Sequence, residues 1–196
     1  GRPLIYYTIN PCMQNKFIDK VVVSTDSEQY AQICSELGAE VPFLRPAHLS
    51  SDSATTEDVL KHYIEWLENK DQDLPEIVVY MQPTDIFRKT KHINLCIENL
   101  LNDKNIDSSF TAFPTHKKYW KQDGDLYSRV NEGDYSPRQS SQFYYREDTG
   151  VVLATRLSVI KNGIDIHTEK TFYIAEQIVK KELQLRNSEY CFKESL

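Results

Sequence analysis

The chain has 196 residues, 40% of them hydrophobic and 27% charged, which is the composition of a folded globular domain rather than of a disordered or fibrous chain. Its 29 acidic residues exceed its 23 basic ones, and the net charge of −6 disfavours nucleic acid as a partner. No uncharged apolar run approaches the roughly 18 residues of a membrane span, so we expect a soluble, cytoplasmic protein with no membrane partner and a single domain over residues 1–196.

The first third of the chain predicts alternating strand and helix. A β-branched run at 21–23 predicts a strand, and the polar residues 24–27 that follow end it and cap a helix over about 28–37. Gly38 is typical of a helix C-terminus, and 41–44 is predicted to be a short extended segment.

The alternation continues through the middle of the chain. Apolar residues at helical spacing predict a helix from about Thr56, which is a candidate for its N-cap. The run at 77–81 is apolar without alternation, as in a strand covered on both faces, and a further helix is predicted around 92–101. Strands are then predicted at 109–113 and 150–154.

Four cysteines lie far apart, with neither CxxC spacing nor a histidine at zinc-finger distance. They are Cys12, Cys34, Cys96 and Cys191. This pattern predicts reduced, mostly buried thiols rather than a disulfide scaffold or a zinc ribbon.

Strands that alternate with helices indicate an α/β fold with a doubly wound, mostly parallel sheet. In such sheets the polar groups that follow the strands gather beyond the carboxyl ends, where ligands bind. The predicted ligand-binding residues are therefore those directly after each strand.

Polar motifs follow the predicted strands in a fixed order along nearly the whole chain. They include Ser24-Thr25-Asp26, Leu44-Arg45-Pro46-Ala47, Ser53-Ala54-Thr55-Thr56, Gln82-Pro83-Thr84, Ser136-Pro137-Arg138-Gln139, Asp148-Thr149-Gly150 and Asp165-Ile166-His167. Each motif alone is weak, but in this order they resemble the CMP-sialic acid synthetases, the acylneuraminate cytidylyltransferase family. The resemblance implies a Rossmann-like nucleotidyltransferase fold. It also implies an enzyme that transfers CMP from CTP to a nine-carbon 2-keto sugar acid with Mg²⁺ as cofactor, releasing pyrophosphate.

The resemblance assigns the nucleotide-binding residues. Arg45 matches the cytidine-pocket arginine, while Ala54, Thr56 and Gln82 frame the base and ribose. Alternative roles stay open, because an arginine before proline is often a surface ion-pair partner, and residues 24–26 can serve only as a helix cap.

The acceptor-binding residues follow from the same resemblance. Gln82, Pro83 and Thr84 face the sugar, and Gln139 with the turn at Thr149 and Gly150 completes the pocket. Thr149 replaces the asparagine that is usual in the family, so a hydroxyl stands where the family has a side-chain amide.

Arg138 is the predicted anchor of the acceptor. A planar guanidinium suits bidentate capture of a carboxylate, the group that every ulosonic acid carries. We therefore expect Arg138 to be a catalytic-site residue that orients the sugar acid.

Residues 114–149 are polar, rich in tyrosine and turn-forming residues, and without helical period. The resemblance implies a dimerisation and sugar-pocket extension here, so we expect a homodimer. Aromatic residues are enriched at interfaces, although an aromatic core within one subunit is the alternative.

Asp165 and His167 occupy the positions of the family's paired Asp-x-Asp metal ligands. Carboxylate oxygen suits Mg²⁺, whereas imidazole is a poor ligand for it. Asp165 is thus the expected catalytic metal ligand. His167 either holds a metal-bound water, orients a phosphate, acts as a base or has a purely structural role.

The family's first strand and its basic phosphate-binding loop do not precede Gly1. We expect these segments to belong to the protein outside the given residues, because a doubly wound sheet without its central strand loses much of its core. Two alternatives remain. One is a related nucleotidyltransferase for another sugar acid, such as a 3-deoxy-octulosonate, and the other is a non-catalytic remnant.

Overall fold

The computed structural model describes residues 1–130 and 144–162 in full and the backbone of Phe172–Ile174. The helices in these ranges are α1 (Tyr6–Met13), α2 (Glu28–Glu36), α3 (Thr56–Asn69), α4 (Thr90–Asn102) and α5 (Leu157–Asn162), with a 3₁₀ turn at Ala47–Leu49. The strands are β1 (Ile77–Tyr80), β2 (Ser108–Phe110), β3 (Ala112–Thr115), β4 (Trp120–Asp123), β5 (Leu126–Arg129), β6 (Tyr144–Glu147), β7 (Leu153–Arg156) and β8 (Phe172–Ile174).

The main sheet has the strand order β1-β7-β2-β8. β7 is antiparallel to both neighbours, with Ile77 opposite Arg156 and Phe110 opposite Leu153, whereas β2 and β8 are parallel. Three of the four strands therefore point the same way, and β7 alone is reversed. The carboxyl end of β1 consequently lies beside the turn that precedes β7.

Helices cover both faces of this sheet. Ile77 and Val79 pack against the cluster that contains Ile93 of α4, while Val78 and Tyr80 pack against side chains of α3 and α5. The continuous apolar run of β1 arises because alternate residues enter two different cores. This is the doubly wound arrangement that the sequence predicts.

Residues 21–25 form isolated parallel bridges instead of the predicted regular strand. Val22 pairs with Glu40 and Thr25 with Leu44, but no continuous ladder joins the two pairs. Pro42 lies between the bridges on the second segment and has no N–H to donate. The interruption follows from that missing donor.

α2 agrees closely with its prediction. The Ser27 hydroxyl accepts a hydrogen bond from the Tyr30 N–H at 3.3 Å, and Gly38 follows the helix with a φ of 94°. The predicted cap of α3 is wrong by one residue, since Thr55 is the N-cap and Thr56 the first helical residue.

The predicted strand at 109–113 is two strands, β2 and β3, which diverge at Thr111. β7 begins three residues later than predicted. The Thr111 hydroxyl donates to the Asp148 carbonyl at 2.6 Å, which holds residues 148–151 as a turn before the strand. A side chain 37 positions away thus sets this strand boundary.

Sequence reasoning missed α1, because Pro11 lies within it and its N-terminus has no side-chain cap. Its buried residues Ile9 and Cys12 join two apolar clusters, so tertiary packing stabilises this helix. No helix in the described part of the chain combines the length and the apolar character needed to cross a membrane.

The described residues of the 114–149 segment are mostly strands. β3 pairs with β6, and β4 pairs with β5 in a hairpin whose turn contains Gly124 at a φ of 60°. Trp120, Leu126 and Tyr127 of this hairpin are exposed to solvent. These side chains therefore do not form the aromatic core that was the alternative to an interface.

Candidate active site

A cavity of about 200 Å³ lies between the carboxyl end of β1 and the first turn of α3. Three of the residues that the sequence predicts to bind nucleotide line it, namely Arg45, Ala54 and Thr56. Ser50 and Tyr80 also line the cavity. The fold brings these residues together from three separate segments, while their roles in binding stay predictions.

Arg45 is half-buried and anchored at two points. Its backbone N–H donates to the Thr25 carbonyl at 2.8 Å, and its Nε donates to the Ser50 hydroxyl at 3.1 Å. The terminal amino groups make no hydrogen bond within residues 1–130 and 144–162. These groups are the donors available to a ligand in the cavity, and the ion-pair alternative finds no acidic partner in that part of the chain.

The start of α3 carries a capping box beside the cavity. The Asp58 carboxylate accepts from the Thr55 N–H at 3.0 Å and from its hydroxyl at 2.7 Å, and these bonds lower the pKa of Asp58. The helix N-terminus thus already holds a negative charge. This arrangement suits an uncharged base or ribose in the cavity better than a phosphate.

Tyr80 links the cavity to the next loop. Its hydroxyl accepts from the Thr56 hydroxyl at 3.4 Å and from the Gln82 side-chain amide at 3.3 Å. Sequence reasoning missed Tyr80 because it lies inside an apolar strand. The available signal was a hydroxyl-bearing residue two positions before the predicted ligand-binding glutamine.

Gln82 and Gly150, both predicted to contact the acceptor, lie side by side. The Gln82 N–H donates to the Gly150 carbonyl at 2.8 Å. A Cβ on Gly150 would lie 2.6 Å from Asp85 Oδ2 and 2.8 Å from Gln82 Oε1, so any other residue here would force these two side chains to shift. Pro83 and Thr84 are exposed in the same loop.

Thr149 is half-buried in the turn that carries Gly150. Next to it, partial burial raises the pKa of Asp148, the negative charge of Asp85 raises it further, and Arg146 opposes the shift. Arg146 Nη2 lies 3.6 Å from the Asp148 carboxylate. The site therefore has two carboxylates beside the predicted acceptor groups.

Arg138, Gln139, Asp165 and His167 lie outside the described residues. Within the described ranges, no group of three or more His, Cys, Asp or Glu side chains is arranged to hold a metal ion. The predicted carboxylate anchor and metal ligands therefore stay predictions.

Comparisons with known proteins give a consistent result. A family model described as Cytidylyltransferase matches residues 1–190. A pseudaminic acid cytidylyltransferase and UDP-2,4-diacetamido-2,4,6-trideoxy-beta-L-altropyranose hydrolase of Helicobacter pylori is 33% identical over 58% of this chain and 22% of that protein. An N-acylneuraminate cytidylyltransferase of Escherichia coli O18:K1:H7 is 37% identical over 47% of this chain and 20% of that protein.

The aligned part is thus about a fifth of the length of these two relatives. Among solved structures, a CMP:2-keto-3-deoxy-manno-octonic acid synthetase complexed with CTP matches 96% of this chain and 76% of its own with a TM-score of 0.61. The identity to it is 15%, so this likeness concerns the fold. It confirms the predicted Rossmann-like α/β nucleotidyltransferase fold.

Proposed function

Because the chain belongs to the cytidylyltransferase family that includes the CMP-sialic acid synthetases, we propose that the protein transfers CMP from CTP to a sialic-acid-like nine-carbon 2-keto sugar acid. The names of its relatives support this acceptor class, since one acts on pseudaminic acid and another on an N-acylneuraminate. Pyrophosphate is the second product.

The observation that carries the proposal is the hydrogen-bonded connection between the two halves of the site. Tyr80 receives a hydrogen bond from Thr56 in the cavity and another from Gln82 in the neighbouring loop. A base and ribose in the cavity therefore lie next to the loop that carries Gln82 and Gly150. Such adjacency is what transfer between two bound substrates requires.

In the proposed reaction, the anomeric hydroxyl oxygen of the sugar acid attacks the α-phosphorus of CTP. The new bond joins that oxygen to the α-phosphorus, and the bond from the α-phosphorus to the α–β bridging oxygen breaks. Pyrophosphate leaves with the bridging oxygen, and the hydroxyl proton passes to solvent. Positioning and neutralisation of phosphate charge dominate the catalysis of such transfers. Arg45 and Thr56 would hold the cytidine, while Gln82 and Gly150 would orient the sugar.

Mg²⁺, Arg138 and Asp165 belong to the same proposal. When bound, Mg²⁺ supplies charge stabilisation on the triphosphate. Asp165 offers it a hard oxygen ligand, and His167 lies two positions further on. Arg138 would hold the acceptor carboxylate as a bidentate partner.

We also propose a homodimer that forms through the 114–149 extension and acts in the cytoplasm without a nucleic acid or membrane partner. The exposed apolar side chains of the β4–β5 hairpin support the dimer. Free, buried thiols at Cys12, Cys34 and Cys96 support a reducing compartment.

The test is a pyrophosphate-release assay with the full-length protein. CTP, UTP, ATP and GTP are each offered with N-acetylneuraminate and with a 3-deoxy-octulosonate, in the presence and absence of Mg²⁺. We expect turnover only with CTP, the nine-carbon acid and Mg²⁺. Turnover with the eight-carbon acid alone, or with another nucleotide and not with CTP, would contradict the assignment.

A further inference from the structure

Arg88 is a buried cation that contacts the loop carrying Gln82, and 6% of its surface is exposed. Its guanidinium donates to the carbonyls of Gln82 at 2.8 Å and Gly150 at 2.9 Å, and also to the carbonyl of Val151. A fourth bond reaches the Thr8 hydroxyl at 2.9 Å. One side chain therefore joins α1, the loop after β1 and the turn before β7.

In the described ranges, the hydrogen bonds of Arg88 go to three carbonyls and a hydroxyl, while the Asp85 carboxylate attracts it electrostatically without a hydrogen bond. Desolvating a guanidinium is costly, and burial lowers the pKa of Arg88. A hydrophobic side chain would fill the same volume without that cost. The rigid fork of donors is what a hydrophobic residue cannot supply.

Two of the three bonded carbonyls belong to Gln82 and Gly150, the residues whose spacing defines the proposed acceptor site. Gln82 and Gly150 are joined directly through the Gln82 N–H, and Arg88 Nη2 bonds to both of their carbonyls. The space at Gly150 is already filled by side-chain oxygens of Gln82 and Asp85. A small separation of loop and turn would therefore move the Gln82 amide relative to the sugar.

We propose that Arg88 is a positioning residue that holds the Gln82 loop and the Gly150 turn at the spacing that the acceptor requires. It touches neither substrate. The proposal rests on the proposed function, because that function assigns the acceptor to Gln82 and Gly150. Loss of Arg88 should impair use of the sugar acid and spare the cavity around Arg45.

Arg156 provides a matched control for this proposal. It is also a largely shielded arginine that donates to backbone carbonyls, with bonds to Leu100, to Ile106 at 2.9 Å and to Asp103 at 3.2 Å. It differs from Arg88 in an additional ion pair, at 3.5 Å, with the exposed carboxylate of Glu76. It lies opposite Ile77, at the other end of β1 from Gln82. A purely structural effect of losing such an arginine should appear equally at both positions.

The experiment compares Arg88→Lys, Arg156→Lys and the milder Thr8→Val in the full-length protein. We expect Arg88→Lys to raise the acceptor KM and lower kcat, with a combined loss of roughly ten-fold or more, while the CTP dissociation constant stays within about two-fold. Arg156→Lys should lower the melting temperature but leave both kinetic constants near wild type. Equal kinetic losses at the two arginines, or normal acceptor kinetics in folded Arg88→Lys, would overturn the proposal.

Thr8→Val tests the positioning role if Arg88→Lys does not fold. It removes the hydrogen bond from the guanidinium to the Thr8 hydroxyl on α1, and leaves the loop carrying Gln82 unchanged. We expect a smaller loss in the same direction, and an unchanged acceptor KM and kcat would count against Arg88. Amide hydrogen exchange separates this inference from the proposed function. If the wild type shows no turnover, the proposed function is wrong. Faster exchange at the Gln82 N–H in Thr8→Val or Arg88→Lys would still support the positioning role of Arg88, provided that Arg156→Lys does not show it.

Discussion

At the scale of single residues, the site depends on groups whose hydrogen bonds cross between segments. Tyr80 packs its ring into the sheet's cores, while its hydroxyl reaches Thr56 and Gln82. The ring and the hydroxyl thus have separable roles. A substitution that removes only the hydroxyl tests the connection without opening a cavity.

Tyr80→Phe should remove the hydrogen-bonded connection between the nucleotide cavity and the loop carrying Gln82, while leaving the free energy of unfolding nearly unchanged. A hydrogen bond is worth about 0.5–1.5 kcal/mol, so we expect kcat/KM to fall by about two- to ten-fold. Tyr63→Phe is the matched control, because Tyr63 is half-buried on α3 and does not line the cavity. Steady-state kinetics with CTP and acceptor varied separately provide the measurement, and equal effects in the two variants would argue against a role for the Tyr80 hydroxyl.

Gly150→Ala should damage acceptor use more than it damages folding. The new methyl group would meet Asp85 Oδ2 and Gln82 Oε1, and both atoms belong to side chains that can shift. We expect the acceptor KM to rise by roughly ten-fold, with a stability change of about 1 kcal/mol or less.

The double variant Asp85→Ala/Gly150→Ala removes the closer of these two contacts. The rise in its acceptor KM should therefore be close to the rise in Asp85→Ala alone, and smaller than the product of the fold-changes in the two single variants. Kinetics and thermal unfolding measured on the same samples decide the question. A large loss of stability with normal kinetics would show that the glycine serves the fold and not the site.

The buried thiols give a prediction about pH. Burial raises the pKa of Cys96 to about 12 and that of Cys12 to about 11, from an ordinary value of 9.0. The native state therefore retains these protons longer than the unfolded state does, and the free energy of unfolding should fall as pH rises from about 9 toward 12.

Alkylation tests the burial of the thiols, on which the pH prediction depends. Native protein at pH 8 should leave Cys12 and Cys96 unmodified by iodoacetamide, whereas denatured protein should react fully at both. Peptide mass spectrometry reads each position separately. Rapid modification of native Cys96 would be incompatible with the burial described for it.

At the scale of elements, local sequence and tertiary packing contribute differently to each helix. α2 and α3 have side-chain caps and begin within a residue or two of their predicted starts. α1 has no such cap and contains Pro11, so only its contacts with the cores reveal it. A helix whose signal is local is readable from sequence, and one that depends on neighbours is not.

Thr55→Ala should destabilise the protein by about 1 kcal/mol, because it removes the hydroxyl of the α3 capping box. Asp58→Ala removes the other half of the box. Since the Thr55 hydroxyl and the Asp58 carboxylate bond to each other, the double variant should lose less free energy of unfolding than the two single variants lose in sum. Urea unfolding without ligand is the measurement, and Glu65→Ala on the exposed side of α3 is the control. Strict additivity would show that the two caps act independently.

At the scale of the whole molecule, the β4–β5 hairpin offers an apolar surface for a second copy of the chain. Leu126 is 76% exposed and Tyr127 is 63% exposed. We expect the wild type to sediment as a homodimer and Leu126→Asp to shift it toward monomer, because a buried unpaired charge is costly at an interface. Lys121→Glu, a charge change on the same hairpin, is the control for electrostatics alone.

The dimer prediction also has a kinetic consequence. If the 114–149 extension completes the sugar pocket of the partner subunit, Leu126→Asp should raise the acceptor KM to the extent that it dissociates the dimer into monomers. Sedimentation and kinetics at the same protein concentrations test the link. A wild type that is monomeric at micromolar concentration with full activity would contradict both parts.

The sequence by itself determined the α/β class, the alternation of β1, α4 and β2, and the positions of Arg45 and Gln82 directly after predicted strands and of Thr56 at the start of a predicted helix. These features have local signals: apolar runs, caps, and polar residues that follow them in order. The family resemblance also rests on this order.

Tertiary structure alone decided the reversed direction of β7 and the roles of Tyr80 and Arg88 as links between segments. Strand direction depends on which edges meet, and a hydrogen bond such as that from Arg88 to Gly150 spans 62 positions of sequence. No periodicity or spacing encodes such a contact. It exists only because the folded sheet brings the end of β1 beside the turn before β7, where the buried guanidinium of Arg88 donates to carbonyls of both segments.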